Sequence, residues 1–184
     1  MLTHPAINEP LALSSVFRGD CTATLPHNST KDEVLATLLD SLVRLELIDP
    51  QQVPHLLNEL LKREQTGTSA LGRGVALPHL RTRSVSRFVG AIGLASNGVE
   101  LGAIDGAPTR VVLLVLAPFE EREQHSELMG RLWSLFRDKT ISLFLSGRHR
   151  PDELCDYLIE LDNDTRPAGR GPLGSDAAKK ITPP

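Results

Sequence analysis

Residues 63–79 read REQTGTSALGRGVALPH, a glycine-rich segment that passes through three apolar residues to a histidine. Gly67, Gly72 and Gly74 lie within eight residues, and glycine lets the backbone take positive φ and approach a ligand or another segment closely. A loop of this kind can direct several backbone N–H groups at one anion. The segment therefore predicts a pocket built around the imidazole of His79.

The apolar run 75–77 indicates a short buried strand directly ahead of this histidine. Pro78 favours extended geometry in Leu77 and removes one backbone donor. We therefore expect His79 to lie at a strand end, where rigid backbone holds it.

Positive charge lies close to the histidine in sequence. Arg63 opens the segment, and Arg81 and Arg83 follow His79 almost at once. Guanidinium groups bind phosphate and similar dianions through paired hydrogen bonds. Two interpretations follow: a reactive histidine that carries an anionic group, or a structural histidine beside a solvated basic face that recognises an acidic partner.

The rest of the pattern alternates helices with strands. Apolar residues at helical spacing predict helices, and apolar runs bounded by turn residues predict strands. The helices are predicted at 31–47, 51–63, 123–137, 140–145 and 151–161, and the strands at 75–77, 88–95 and 111–117. The strand at 111–117 is apolar enough to be central. This pattern predicts an α/β fold, a single domain whose mixed β-sheet is flanked by helices on both faces.

Composition changes towards both ends of the chain. We interpret residues 1–11 as an N-terminal extension and residues 12–161 as the folded domain. Residues 162–184 combine Pro, Gly and charged residues with isolated apolar ones, which is typical of a flexible tail. A chain of 184 residues that is 40% hydrophobic is long enough to bury one core.

Charge and composition exclude several classes of protein. A net charge of -3 with one Trp, one Tyr and five Phe does not suit a nucleic-acid binder. The sequence has no apolar run of membrane-spanning length and no signal-peptide pattern, so we expect a cytoplasmic protein without direct membrane insertion. Cys21 and Cys155 lack metal-site spacing and favour reduced thiols.

The run from Arg63 to His79 resembles the phosphorylation-site signature of the type 2 enzyme IIA domains of the phosphoenolpyruvate-dependent sugar phosphotransferase system. This family includes the fructose, mannitol and nitrogen-regulatory members. Residues 102–118, which contain AIDGAP and a strand that ends in Ala-Pro, and residues 125–141 resemble two further segments of the family. One departure is Leu80, since a small residue usually follows the histidine and a larger one affects how closely a partner's loop can approach.

The resemblance implies roles for particular residues. His79 is the phosphorylated nucleophile, and His125 and Arg63 contact the phosphoryl group. Additional phosphate-binding residues implied in the same way are Thr68, Ser69 and Arg81. The phosphoryl group derives from phosphoenolpyruvate, so no metal or other cofactor is implied. The implied partners are the histidine phosphocarrier protein and a IIB component for sugar uptake.

Two other functions stay open at this point. The first is a nitrogen-type regulatory IIA, whose phosphorylation state controls binding to other proteins. The second is a metal-dependent hydrolase with His79 and His125 as ligands, although the sequence offers no evident third ligand.

Overall fold

A computed structural model describes residues 10–137 and 150–165 of the chain. The strands are β1 Phe17–Thr24, β2 Ala70–Gly72, β3 Val75–Ala76, β4 His79–Thr82, β5 Val89–Val99 and β6 Thr109–Pro118. The helices are α1 Leu13–Val16, α2 Lys31–Arg44, α3 Val53–Thr66, α4 Arg122–Arg137 and α5 Pro151–Thr165, and a 3-10 turn at Pro50–Gln52 leads into α3.

The strands form one mixed sheet in the order β1, β5, β6, β3, β2, and β4 also pairs with β6. β5 and β6 are antiparallel, whereas β1 runs parallel to β5, and both β3 and β4 run parallel to β6. β6 is therefore central, as its apolar sequence predicts, and every residue from Val111 to Ala117 is fully buried. The predicted strands at 88–95 and 111–117 are confirmed.

Helices cover both faces of this sheet. Along β6, successive side chains point to opposite faces, so Val112 and Leu114 join one core while Val111 and Leu113 join the other. The first core is completed by apolar residues of α2 and α3, including Leu38, Leu39, Leu56 and Leu60. The second is completed by α1, α4 and α5, including Leu13, Leu128, Leu132 and Leu158. The predicted α/β domain with a two-sided mixed sheet is confirmed.

The predicted helices at 31–47, 51–63, 123–137 and 151–161 are present, with shifted ends. Thr30 caps α2: its hydroxyl accepts from the backbone N–H of Glu33 at 3.3 Å, and the Glu33 carboxylate accepts from the N–H of Thr30 at 2.7 Å. α2 ends at Arg44 rather than at residue 47, because the chain turns at Glu46 with a φ of 54°. α3 continues to Thr66, three residues beyond its predicted end at residue 63.

The strands β1, β2 and β4 were not predicted. β1 reads FRGDCTAT and β4 reads HLRT, so neither has an apolar run or a clean alternation. Such strands form because a neighbouring strand supplies hydrogen-bond partners, and sequence pattern carries little of that information. The predicted helix at 140–145 lies outside the described residues.

Two side chains on the later helices differ from the sequence interpretation. The apolar pattern of the predicted helix 123–137 places both Trp133 and Phe136 in the core, yet Trp133 is 41% exposed, whereas Phe136 is buried. Asp162, which we placed at the start of the tail, belongs to α5 and is buried. Its carboxylate accepts from the backbone N–H of Leu13 at 3.0 Å and pairs with Arg131, so it joins α1, α4 and α5.

None of the helices within residues 10–137 and 150–165 combines the length and apolar character needed to cross a membrane.

Candidate functional site

The backbone holds His79 against the central strand. β3 and β4 lie end to end along β6 and are separated by Leu77 and Pro78. The N–H of Val115 donates to the carbonyl of Pro78 at 3.0 Å, and His79 pairs in register with Val115. His79 therefore lies at a strand end, as the sequence predicts, but it opens the unpredicted strand β4 instead of following the strand 75–77. It is anchored to the buried β6.

A hydrogen bond selects one tautomer of the neutral His79 imidazole. Its Nδ1 lies 2.7 Å from the carbonyl oxygen of Leu77, and a carbonyl oxygen can only accept a hydrogen bond. Nδ1 must therefore carry a hydrogen in this hydrogen bond, and in the neutral ring this leaves the lone pair on Nε2. The side chain of His79 is only partly buried, so a partner protein can approach the ring that carries Nε2.

His125 lies beside this ring. It occupies the first turn of α4, and the centroids of the His79 and His125 rings are 5.2 Å apart. The Nε2 atom of His125 is buried and has no hydrogen-bond partner among the residues that the structure describes. Burial, and to a smaller extent the positive charge of the nearby His79 and Arg81, lower the pKa of His125 to about 4. His125 is therefore neutral at neutral pH.

The lowered pKa of His125 predicts a loss of stability in acid. The unfolded chain binds this proton near pH 6.5, whereas the folded chain binds it only near pH 4. The free energy of unfolding should therefore fall as pH drops from about 6.5 to 4, by on the order of 2 kcal/mol from this group. His125→Gln, measured by urea unfolding at pH 7 and pH 4.5, should lose less stability than the wild type by about that amount. An equal loss in both proteins would contradict the prediction.

A buried carboxylate shapes the start of the glycine-rich loop. Both carboxylate oxygens of Glu64 accept from the backbone N–H of Ser69, at 3.2 Å and 3.3 Å. One of them also pairs with the ammonium of Lys31 at 2.9 Å. Neither Lys31 nor Glu64 was predicted as part of the site. The available signal was a carboxylate directly after the predicted helix 51–63, at the end where the helix dipole disfavours negative charge.

Thr68 and Ser69, which we predicted as phosphate-binding residues, hold the loop in shape. The Thr68 hydroxyl accepts from the N–H of Ala70 at 3.1 Å and donates to the carbonyl of Leu101 at 3.5 Å. The Ser69 N–H is already bound to Glu64. The structure thus places these residues in hydrogen bonds within the protein.

The two glycine-containing motifs of the sequence meet in space. Gly72, Arg73 and Gly74 all have positive φ, at 91°, 56° and 78°. The Asp105 carboxylate accepts from the N–H of Arg73 at 2.7 Å and from that of Ala107 at 3.0 Å, and these two hydrogen bonds lower the pKa of Asp105. A Cβ atom on Gly72 would lie 2.7 Å from an Asp105 oxygen, so this turn needs glycine. Residues 102–108 therefore hold the loop that precedes His79 in place through the hydrogen bond between Asp105 and Arg73.

Three arginines predicted near the site take different positions. Arg63 donates to the carbonyl of Gly67 at 3.3 Å and to the Thr66 hydroxyl at 3.4 Å, at the mouth of the loop. Arg81 donates to the carbonyl of Phe119 at 3.0 Å. The guanidinium carbons of Arg81 and Arg83 lie 5.4 Å and 4.7 Å from the centroid of the Phe119 ring. We call Arg81, Arg83 and Phe119 the Phe119 patch.

Leu80 does not crowd the site in this structure. Its side chain is partly buried and packs against the core that α2 and α3 cover. Because side chains alternate along a strand, His79 and Leu80 point to opposite faces of β4. The Leu80 side chain therefore packs against this core and points away from His79.

The histidine pair has no third metal ligand grouped with it in the part of the chain that the structure describes. Within residues 10–137 and 150–165, no three His, Cys, Asp or Glu side chains are grouped so that they could hold a metal ion. A hydrolytic metal site on His79 and His125 would need its third ligand from such a group.

The chain matches a known protein family and individual relatives over most of its length. Residues 15–160 match the family described as "Phosphoenolpyruvate-dependent sugar phosphotransferase system, EIIA 2". A nitrogen regulatory protein of Escherichia coli (strain K12) is 28% identical over 158 residues, which cover 85% of this chain and 94% of the relative.

Solved structures show the same fold. The nitrogen regulatory protein IIA-Ntr from Neisseria meningitidis superposes with a TM-score of 0.70 at 24% identity, over 79% of this chain and 98% of its own. The enzyme IIA of mannitol from Escherichia coli, in a complex with phosphorylated enzyme IIB, gives a TM-score of 0.60 at 21% identity, over 79% of this chain and 97% of its own.

Proposed function

The chain belongs to the EIIA type 2 family of the phosphoenolpyruvate-dependent sugar phosphotransferase system, and on that premise we propose that it is a phosphocarrier that accepts a phosphoryl group on Nε2 of His79. The observation that carries this proposal is the hydrogen bond of 2.7 Å from His79 Nδ1 to the Leu77 carbonyl. It keeps the hydrogen on Nδ1 and leaves a nucleophilic lone pair on Nε2.

The proposed donor is the phosphorylated histidine phosphocarrier protein. Nε2 of His79 forms a bond to phosphorus while the bond between phosphorus and the donor's ring nitrogen breaks, and its electron pair returns to the donor imidazole. His79 keeps its Nδ1 hydrogen throughout. The protein's task is then to position the group and to stabilise charge on its three equatorial oxygens. No metal or other cofactor enters this proposal, because the phosphoryl group originates from phosphoenolpyruvate.

His125 suits the role of a hydrogen-bond donor to that group. A phosphoryl dianion on His79 would lie beside a ring whose buried Nε2 has no partner among the described residues. An adjacent dianion also favours the protonated form of an imidazole and raises its pKa. His125 would therefore gain both a hydrogen-bond partner and a compensating charge when His79 is phosphorylated.

Arg63 is the proposed guanidinium contact for the phosphoryl group. Its hydrogen bonds to Thr66 and Gly67 are long, at 3.4 Å and 3.3 Å, and the side chain is exposed, so it can exchange them for stronger bonds to a dianion. Arg81 instead binds the Phe119 carbonyl, so we assign it a contribution through its charge. Thr68 and Ser69 then contribute by keeping the loop in place.

The test of this proposal is to incubate the protein with phosphoenolpyruvate, enzyme I and the histidine phosphocarrier protein. We expect one phosphoryl group per chain, and NMR of the ¹⁵N-labelled ring should place it on Nε2 of His79. Absence of incorporation, or label on another residue, would contradict the proposal. Onward transfer to a IIB component, as the complex formed by the mannitol enzyme suggests, is then measured with the labelled protein.

A second candidate function is phosphorylation-dependent regulation of another protein. It is supported by relatives named nitrogen regulatory proteins and by the Phe119 patch. Phe119 is 43% exposed, and neither Arg81 nor Arg83 forms an ion pair within the described part of the chain. An aromatic face between two such cations suits a partner segment in which carboxylates flank an apolar side chain.

Phosphorylation would weaken such binding because it places a dianion close to the patch. We therefore expect proteins retained by the immobilised, unphosphorylated chain at low salt to bind roughly tenfold less after Arg83→Glu, with His79 labelling unchanged. Arg83→Lys is the matched control, since it keeps the charge and loses the planar contact with Phe119. Retention that is the same for the wild type, Arg83→Glu and the phosphorylated protein would argue against the regulatory function.

A further inference from the structure

We propose that Glu64 is a positioning residue for His79: it sets the tautomer of the imidazole through Ser69 and the Leu77 carbonyl. The proposal rests on the function proposed above for His79. Glu64 touches no reacting atom in this account. It acts through a series of hydrogen bonds that begins at α2 and ends at the nucleophile.

The series begins with a largely buried ion pair. The Glu64 side chain is 7% exposed, and its carboxylate lies 2.9 Å from the ammonium of Lys31, whose side chain is 29% exposed. Lys31 opens α2 and Glu64 lies in the last turns of α3, so the pair joins the two helices that cover one face of the sheet. A carboxylate at this depth has few orientations open to it.

The carboxylate then fixes the loop. Both of its oxygens accept from the N–H of Ser69, at 3.2 Å and 3.3 Å, and charged acceptors make stronger hydrogen bonds than neutral ones. A carboxylate near the C-terminus of a helix is disfavoured by the helix dipole, so this position costs stability unless the loop and Lys31 compensate for it. Ser69 is thereby held at a set distance from α3.

Ser69 in turn positions Leu77. The N–H of Leu77 donates to the Ser69 carbonyl at 3.0 Å, and the Leu77 side chain is buried in the core on the other face of the sheet. Pro78 follows and restricts the rotation of Leu77. The carbonyl of Leu77 is consequently aimed at Nδ1 of His79, at 2.7 Å.

The chemical consequence lies in the tautomer. A histidine without such an acceptor exchanges its hydrogen between Nδ1 and Nε2, and in the Nε2–H form the lone pair of Nε2 is not available for attack. By fixing the Leu77 carbonyl, Glu64 keeps His79 in the Nδ1–H form that Nε2 attack requires. Loss of Glu64 should therefore lower the fraction of competent nucleophile without removing the nucleophile.

The experiment combines ¹⁵N NMR of the His79 ring with phosphorylation kinetics on the full chain. In the wild type we expect the Nδ1–H tautomer. In Glu64→Ala we expect both tautomers and a phosphorylation rate about tenfold lower, with little change in the KM for the phosphorylated donor. Glu64→Gln keeps an oxygen acceptor for the Ser69 N–H and should restore both readouts. Lys31→Gln removes the ion pair but keeps the carboxylate, so it should shift both readouts in the same direction as Glu64→Ala and by less.

A wild-type tautomer and rate in Glu64→Ala would overturn the proposal. If Glu64→Ala does not fold, Glu64→Asp decides instead, because its carboxylate retreats from Ser69 by one methylene and should show mixed tautomers. The NMR measurement needs no donor protein, so it tests the role of Glu64 even if the wild type fails to accept phosphate. That failure would overturn only the proposed function.

Discussion

Replacing His79 with glutamine is expected to reduce phosphoryl incorporation from the histidine phosphocarrier protein by roughly three orders of magnitude or more, to background. Glutamine has a similar size and can still donate a hydrogen bond towards the Leu77 carbonyl. It lacks the ring lone pair that forms the bond to phosphorus. The measurement is incorporation of label from phosphoenolpyruvate in the presence of enzyme I and the phosphocarrier protein.

His55→Gln is the matched control for this substitution, since His55 is an exposed histidine on α3. It should be labelled like the wild type. Urea unfolding of both variants verifies that the fold is retained, because His79 is only partly buried and its removal opens no large cavity. Undiminished labelling of His79→Gln would remove the basis of the proposed function.

The second large effect is expected for His125→Ala, in onward transfer to a IIB acceptor. The variant should still accept the phosphoryl group, because the lone pair of His79 Nε2 does not depend on His125. The variant should pass the phosphoryl group to the IIB acceptor about a hundredfold more slowly. The reason is that the hydrogen-bond donor of His125 is missing when the nucleophile of the acceptor attacks the phosphoryl group in line. Rapid-quench measurement of label transferred from the phosphorylated protein gives this rate.

His125→Gln supplies the control for that experiment. Its side-chain amide keeps an N–H donor near the phosphoryl group, so transfer should lie between the rates of His125→Ala and the wild type. The lowered pKa of His125, about 4, also predicts that acceptance by the wild type does not depend on His125 titrating near neutral pH. Normal onward transfer by His125→Ala would show that the neighbouring ring is structural.

The helices and strands that the sequence predicted well are those in which an apolar run or a helix cap lies within the element itself. The segment 111–117 is a run of apolar residues, and it became the buried central strand. The helix from Lys31 has a Thr30 cap with Glu33 three residues on, and both local signals were present in the sequence. These patterns act over a few residues, so they can be recognised without knowledge of the fold.

The elements that sequence missed depend on distant partners. β4 contains His79, Leu80, Arg81 and Thr82, and it is a strand because β6 lies beside it. Asp162 looked like part of a polar tail, yet it is buried because the backbone of Leu13 and the guanidinium of Arg131 reach it. Trp133 has the helical spacing of a core residue but stays 41% exposed, because its position around the helix axis faces outwards.

For the site, the sequence by itself determined which chemical groups are available: a histidine after a glycine-rich loop and a proline, a second histidine further on, and arginines around them. Only the tertiary structure decided how they are arranged. It placed the two imidazoles 5.2 Å apart, turned Arg81 towards Phe119 and linked Glu64 to Ser69. The chemistry of each side chain follows from the residue type. The distance between the two imidazoles and the tautomer of His79 depend instead on packing and hydrogen bonds between segments far apart in the chain.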